Sequence, residues 1–192
     1  MADQTNDRID LLTPEARVSF PNLFEPRKIN EDDQTAKYSV TLLFDKKAQA
    51  TPEYKKMVKA VEKAIKAKWG DNPPRKIKSP FLTVDDLTNK IPDGYEDEHV
   101  FVRLMTTVKP DVVDESVQDI IKADEVYGGC YGRAAIHTYA WSHKTGGAGV
   151  SLGLDHFQKT RDGEPFTKRS KADDVFAAVD TDDDEDDDDD VL

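Results

Sequence analysis

Cysteine is almost missing: Cys130 is the single one among 192 residues, which excludes an internal disulfide framework and a cysteine-rich zinc site. Long apolar runs are missing as well. No stretch approaches the ~20 residues a membrane-spanning helix needs, and Met1 to Asp10 carries no apolar signal-peptide core. The expectation is a soluble protein without a membrane partner. There is no basic excess, with 27 Lys+Arg against 39 Asp+Glu and a net charge of −12, and no helix-turn-helix signature, which argues against a duplex-specific binder. No P-loop is present. Gly146-Gly-Ala-Gly149 lacks the following helix that would cradle phosphate and reads as a hairpin turn. His99, His137, His143, His156 and Cys130 do not have the spacing of a zinc motif. The acid clusters Glu31-Asp-Asp33 and Glu96-Asp-Glu98 read as solvated turns. These absences set the expectation of no enzyme, no metal and no cofactor.

The acid surplus has an address. Residues 173 to 192 hold twelve acids and no base, so residues 1 to 172 carry 27 acids against 27 bases. The division that follows is a flexible N-terminus over 1–13, one domain over 14–172, and a disordered acidic tail over 173–192. About 160 residues suit a single domain with an adequate core.

Within the domain, Val18 and Phe20 begin a short strand that Pro21 ends, and Asn30 to Gln34 is an acidic turn. Lys37 to Phe44 alternates with period two, apolar at Tyr38, Val40, Leu42 and Phe44. Thr51 is an N-cap and Pro52 a first helical residue. Tyr54, Met57, Val58, Val61, Ile65 and Trp69 then recur at helical spacing up to Gly70, with the flanking lysines solvating the outer face. Leu82 to Glu98 has no period and reads as loop. His99–Thr107, Cys130–Trp141 and Gly149–Lys159 alternate as strands, and a short helix is predicted near Val117 to Lys122. The string is mainly β with one inserted helix. It is compatible with a small antiparallel Greek-key barrel of the oligonucleotide-binding (OB) fold, and equally with a two-sheet sandwich.

Successive strand side chains point to opposite faces, so each strand divides by parity. From 130 to 141 the even set is Cys130, Gly132, Ala134, Ile136, Thr138 and Ala140, fit for a core. The odd set includes Tyr131, Arg133, His137, Tyr139 and Trp141, with Lys144 soon after. The strand before it places Phe101 and Arg103 opposite Val100, Val102 and Leu104. The strand after it is nearly bare at Gly149, Ser151 and Gly153 before Phe157, Lys159 and Arg161. Arg75, Lys76 and Lys78 add a basic segment. Aromatic rings interleaved with cations suit unpaired bases, each offering a flat π-face and a phosphate, and a stacked base contributes about 1–3 kcal/mol. The opposite arrangement, with Tyr139 and Trp141 inward, would bury Arg133 and His137 at high cost.

The tail runs Asp182, Asp183, Asp184, Glu185, Asp186, Asp187, Asp188, Asp189 and Asp190, then Val191 and Leu192. Extended, it sets a charge every ~3.3–3.6 Å, close to the ~3.4 Å per phosphate of one DNA strand. A flexible segment of about twenty residues reaches ~25 Å, enough to fold over a cationic groove on its own body and compete with DNA there. Once released, the acids and the apolar end can dock on another protein.

Tyr127-Gly-Gly-Cys-Tyr-Gly-Arg-Ala-Ala-Ile136, then Gly149-Val-Ser-Leu-Gly-Leu-Asp-His-Phe-Gln-Lys159, Arg161-Asp-Gly163 and the Asp-rich end resemble single-stranded DNA-binding proteins of tailed bacteriophages. The plan is similar to that of the replication proteins of short-tailed phages. The resemblance implies an OB fold, DNA contacts on the aromatic-basic sheet face, and a tail that recruits replication or recombination proteins. It also implies work in the cytoplasm of an infected bacterium. By position, Tyr131, Arg133, Tyr139 and Trp141 fall on the strand the family uses. The tail departs from the better-known relatives in ending Val191-Leu192 rather than in phenylalanine. A homo-oligomer is compatible with all of this. The rival readings are an acidic chaperone or DNA mimic, and an RNA-binding OB protein.

Overall fold

The alternations resolve into a closed ring of five strands. The structure, a computed structural model, describes residues 8–28 and 34–167. Strands β1 (Asp10–Leu12), β2 (Ala16–Arg27) and β3 (Lys37–Phe44) are followed by a short helix α1 (Lys46–Gln49) and the main helix α2 (Pro52–Trp69). Then come β4 (Ile77–Lys78), β5 (Val100–Thr106), β6 (Asp111–Val113), β7 (Tyr131–His143) and β8 (Gly147–Arg161). Neighbours run β7-β2-β3-β5-β8, and β8 pairs back to β7, closing the ring. The β5–β8 pair is parallel, and the β2–β3, β3–β5, β7–β8 and β2–β7 pairs are antiparallel. This is the OB strand order. No helix among the described residues is long and apolar enough to cross a membrane.

Helix α2 begins where its sequence dictates: Thr51 Oγ1 accepts from the Tyr54 N–H at 3.3 Å, and Pro52 fills the first turn. Its buried stripe, Met57, Ala60, Val61 and Ala64, packs chiefly on β7, with contacts to β1 and β8. Inside the barrel, Val18, Leu42, Phe44, Val102, Leu104, Ile136, Leu152 and Leu154 form one core. Each such side chain contributes about 1.5–3 kcal/mol of burial, an upper figure because the unfolded chain is itself partly collapsed.

Four differences from the sequence expectation have physical causes. Residues 10–12 are not a flexible end: they pair with 135–137 of β7, Leu11 packs on the core, and Thr13 Oγ1 accepts from the Ala134 N–H. Strand β2 does not stop at Pro21 but continues to Arg27, because a register shift between Ser19 and Asn22 absorbs the proline in a bulge. No helix forms over 117–122. Asp114 Oδ1 accepts from both Ser116 and Gln118 N–H groups, closing a turn whose arms bridge at Val113 and Asp119, and a 3-10 turn at Ala123–Glu125 follows. Finally, the aperiodic segment 82–98 is not mere loop: Leu82 bridges Phe101, and Tyr95 meets the Phe101 ring edge-on with centroids 5.1 Å apart. That segment roofs the outer side of β5.

Candidate nucleic-acid interface

The long β7–β8 hairpin positions the aromatic face. Its register sets Tyr139 opposite Ser151, Trp141 opposite Gly149 and His137 opposite Gly153. Small residues on β8 thus leave space where β7 projects rings. Tyr139 is 57% exposed. The half-buried Trp141 rests over Gly149, where a Cβ would meet its Cζ2 at 2.6 Å, and its Nε1 donates to Ser151 Oγ at 3.0 Å. Lys78 Nζ stands 5.7 Å from the indole centroid, and the His143 ring lies 5.4 Å away, tilted by 34°. Tyr139, Trp141, His143 and Ser151, with Lys37, Met105 and Thr107, line an open groove of about 680 Å3.

At the inner end of the groove, His137 lies across Gly153, leaving no room for a Cβ there. Its Nδ1 is 3.0 Å from Asp155, which also accepts from Arg8 Nη2 at 3.2 Å. Arg8 pairs with Asp10 at 2.8 Å. Ligand atoms of Asp10, His137 and Asp155 lie within 4.8 Å of one another and could converge on a cation, but Arg8 already pairs with both carboxylates. The arrangement is an ion-pair network that ties β1 to the hairpin.

The remaining expected residues separate into other places. Tyr131 lies at the far end of β7, with Arg161 Cζ 3.4 Å from its centroid and Arg17 5.5 Å away, so one ring serves two guanidinium groups. Arg161 is held by Glu15 at 2.9 Å. Partial burial alone would raise the Glu15 carboxyl, but hydrogen bonds from Thr160 and Arg161 hold it below the usual value. Arg133 is exposed and donates to Gln158 Oε1 at 2.8 Å. Lys159 is largely covered. Burial works against its charge, but the bond to Asp162 at 2.7 Å raises its pKa all the same, and Tyr127 lies beneath it. Arg75, Lys76 and Lys144 are exposed, the first two leading into β4 and the third in the β7–β8 turn. Arg103 is exposed on β5.

Two expected contacts are overturned. Phe101 is 0% exposed, sealed by the roof of Leu82 and Tyr95. Phe157 is 1% exposed, because parity breaks between Ala135 and Ile136: Ile136 pairs with Leu154 but Ala135 with His156, leaving Asp155 as the extra residue. Beyond that bulge the odd positions of β8 turn inward, and Phe157 fills the space over Gly132. The acids Glu31 to Asp33 and the tail residues Asp182 to Leu192 lie outside the described residues.

One exposed aromatic was read from the sequence only as part of a short strand. Phe20, in the β2 bulge, lines a second trough of about 590 Å3 with Arg27, Lys28, Arg103 and Met105. The adjacent Pro21 hid it by suggesting that the strand had ended.

The family model described as Enterobacter phage Enc34, ssDNA-binding protein matches residues 9–191. Among curated proteins nothing matches this chain. Solved structures are similar in fold. The single-stranded DNA-binding protein from bacteriophage Enc34 in complex with ssDNA is 23% identical, with a TM-score of 0.68 over 84% of this chain and 90% of that one. The single-stranded DNA-binding protein gp2.5 of bacteriophage T7 is 15% identical, with a TM-score of 0.61 over 87% and 92% of the two chains.

Proposed function

We propose that this chain, which belongs to the Enterobacter phage Enc34 ssDNA-binding protein family, binds single-stranded DNA without sequence preference in the groove of Tyr139 and Trp141. The observation that carries this is the exposed Tyr139 beside Trp141 in an open groove lined by Lys37, with Lys78 near the indole. Rings accept any base, and ammonium groups accept any phosphate, so neither selects a sequence. The two small residues Gly149 and Gly153 let the rings lie close to the sheet and keep the trough open. An acidic chaperone would have no use for an exposed ring beside cations.

Coating and protecting transiently exposed strands during phage replication or recombination, in the host cytoplasm, follows as the role. It needs no catalysis. The barrel together with β1 carries the binding, and the tail over 173–192 competes with DNA and recruits replication proteins. The body is neutral, so the tail holds the whole formal net charge of −12 that could oppose DNA.

The test is fluorescence titration of the full chain carrying Trp69→Phe, so that Trp141 is the sole indole. Oligo-dT should quench it, with affinity falling at a log–log salt slope of about −0.7 per phosphate pair. No quenching at low salt defeats the reading. Gel shifts against duplex and RNA separate the sugar and strand preferences. Removing Asp180 to Leu192 should tighten binding at low salt, and unchanged affinity there would dismiss the competition.

A further inference from the structure

Phe20 holds an arrangement that its own packing does not reward. Its φ is 45°, in the left-handed region where a bulky side chain is strained, and its ring is 59% exposed. An exposed ring gains little from burial, and strain of this kind gathers at functional positions. The register shift between Ser19 and Asn22 turns the ring outward, away from Val18 and Leu23 in the core.

One side of the ring faces three cations. Arg27, Lys28 and Arg103 line the same trough, over a floor that includes Ser39 and Thr41. Among the described residues no carboxylate forms an ion pair with any of the three. Met105 lines both this trough and the groove of Tyr139 and Trp141, so the two meet across β5. A flat apolar surface, cations without a carboxylate partner and continuity with the first groove together describe a second station for an unpaired nucleotide.

We infer that Phe20 is a stacking platform, and that a single strand leaving Tyr139 and Trp141 crosses Met105 to reach it, with Arg103 and Arg27 pairing phosphates there. This rests on the reading of the first groove. It adds a binding element from β2 that strand parity gave no reason to expect. Phe166 and Thr167 line an adjoining cavity with Phe20.

The experiment compares oligo-dT of roughly four and roughly sixteen nucleotides, spanning the site sizes of such folds, on the full chain. Phe20→Gly tolerates the backbone angle and removes the ring. Phe20→Trp restores a ring. The glycine variant should lose about 5- to 150-fold in affinity for the long oligonucleotide, the worth of one stacked base, and bind the short one as wild type does. The tryptophan variant should recover the loss. Arg103→Gln should lower the salt slope by about 0.7 with the long strand only. Wild-type affinity of Phe20→Gly for the long strand overturns the platform. So does tighter binding, which would give the trough to the tail. Failure of wild type to bind either length would instead defeat the first groove, and the platform with it.

Discussion

Trp141 and Gly149 face each other across the β7–β8 hairpin, and the indole occupies the space a side chain at 149 would need. Gly149→Ala should therefore lift the ring, lengthen its bond to Ser151 and disturb Lys78, whose Cβ lies 3.0 Å from the same position. The expected outcome is a shifted Trp141 emission in the Trp69→Phe background, with loss of about 1–3 kcal/mol in oligo-dT binding. An unchanged emission spectrum would show that the seat does not position the ring.

Tyr139 and Lys78 should separate stacking from charge. Tyr139→Ala should weaken oligo-dT binding by about 1–3 kcal/mol at every salt concentration, leaving the salt slope alone. Lys78→Ala should make that slope shallower by about 0.7. Equal slopes in both variants would remove Lys78 from the phosphate path.

Phe157 belongs to stability and not to binding. Phe157→Ala should cost about 3–5 kcal/mol in urea unfolding, as for a large ring removed from a closed core, while the folded fraction binds oligo-dT as before. A binding defect without a stability loss would put the ring back on the surface.

Glu15 ties the start of β2 to Arg161 and Thr160 at the end of β8. Because its folded carboxyl sits below the ordinary 4.5, its contribution is present at neutral pH and fades as pH falls through and below that value. Glu15→Gln should lower Tm at pH 7 by at most a few degrees, since the pair is solvent-screened, and the gap to wild type should close in acid as the carboxyl protonates. A gap that persists in acid would assign the effect to packing.

The legible part of the molecule was whatever kept one period without interruption. Lys37–Phe44 and Pro52–Trp69 carry their boundaries in plain alternation and capping residues, and β7 divides cleanly into a core side and an outward side. Parity failed where one extra residue entered. Asp155 reverses β8, so Phe157 moves inside, and the bulge at Phe20 and Pro21 moves a ring out. Phe101 had the right parity for the outer face, but no local pattern announces that Leu82 and Tyr95 fold over it, since that roof comes from an aperiodic stretch. Tyr131 was on the correct side of its strand. A strand of 13 residues coiling round a barrel carries its two ends to different surroundings, and Arg17 reached that end from β2.

The hairpin of β7 and β8 outruns the ring it closes, and its overhanging flanks are taken up by the three-residue β1 on one strand and by β4 and β6 on the other. Unoccupied, those rows of amide and carbonyl groups would be templates for another chain's sheet. The short flanking strands cover those rows, so the edge left for a neighbour to zip onto is only two or three residues long.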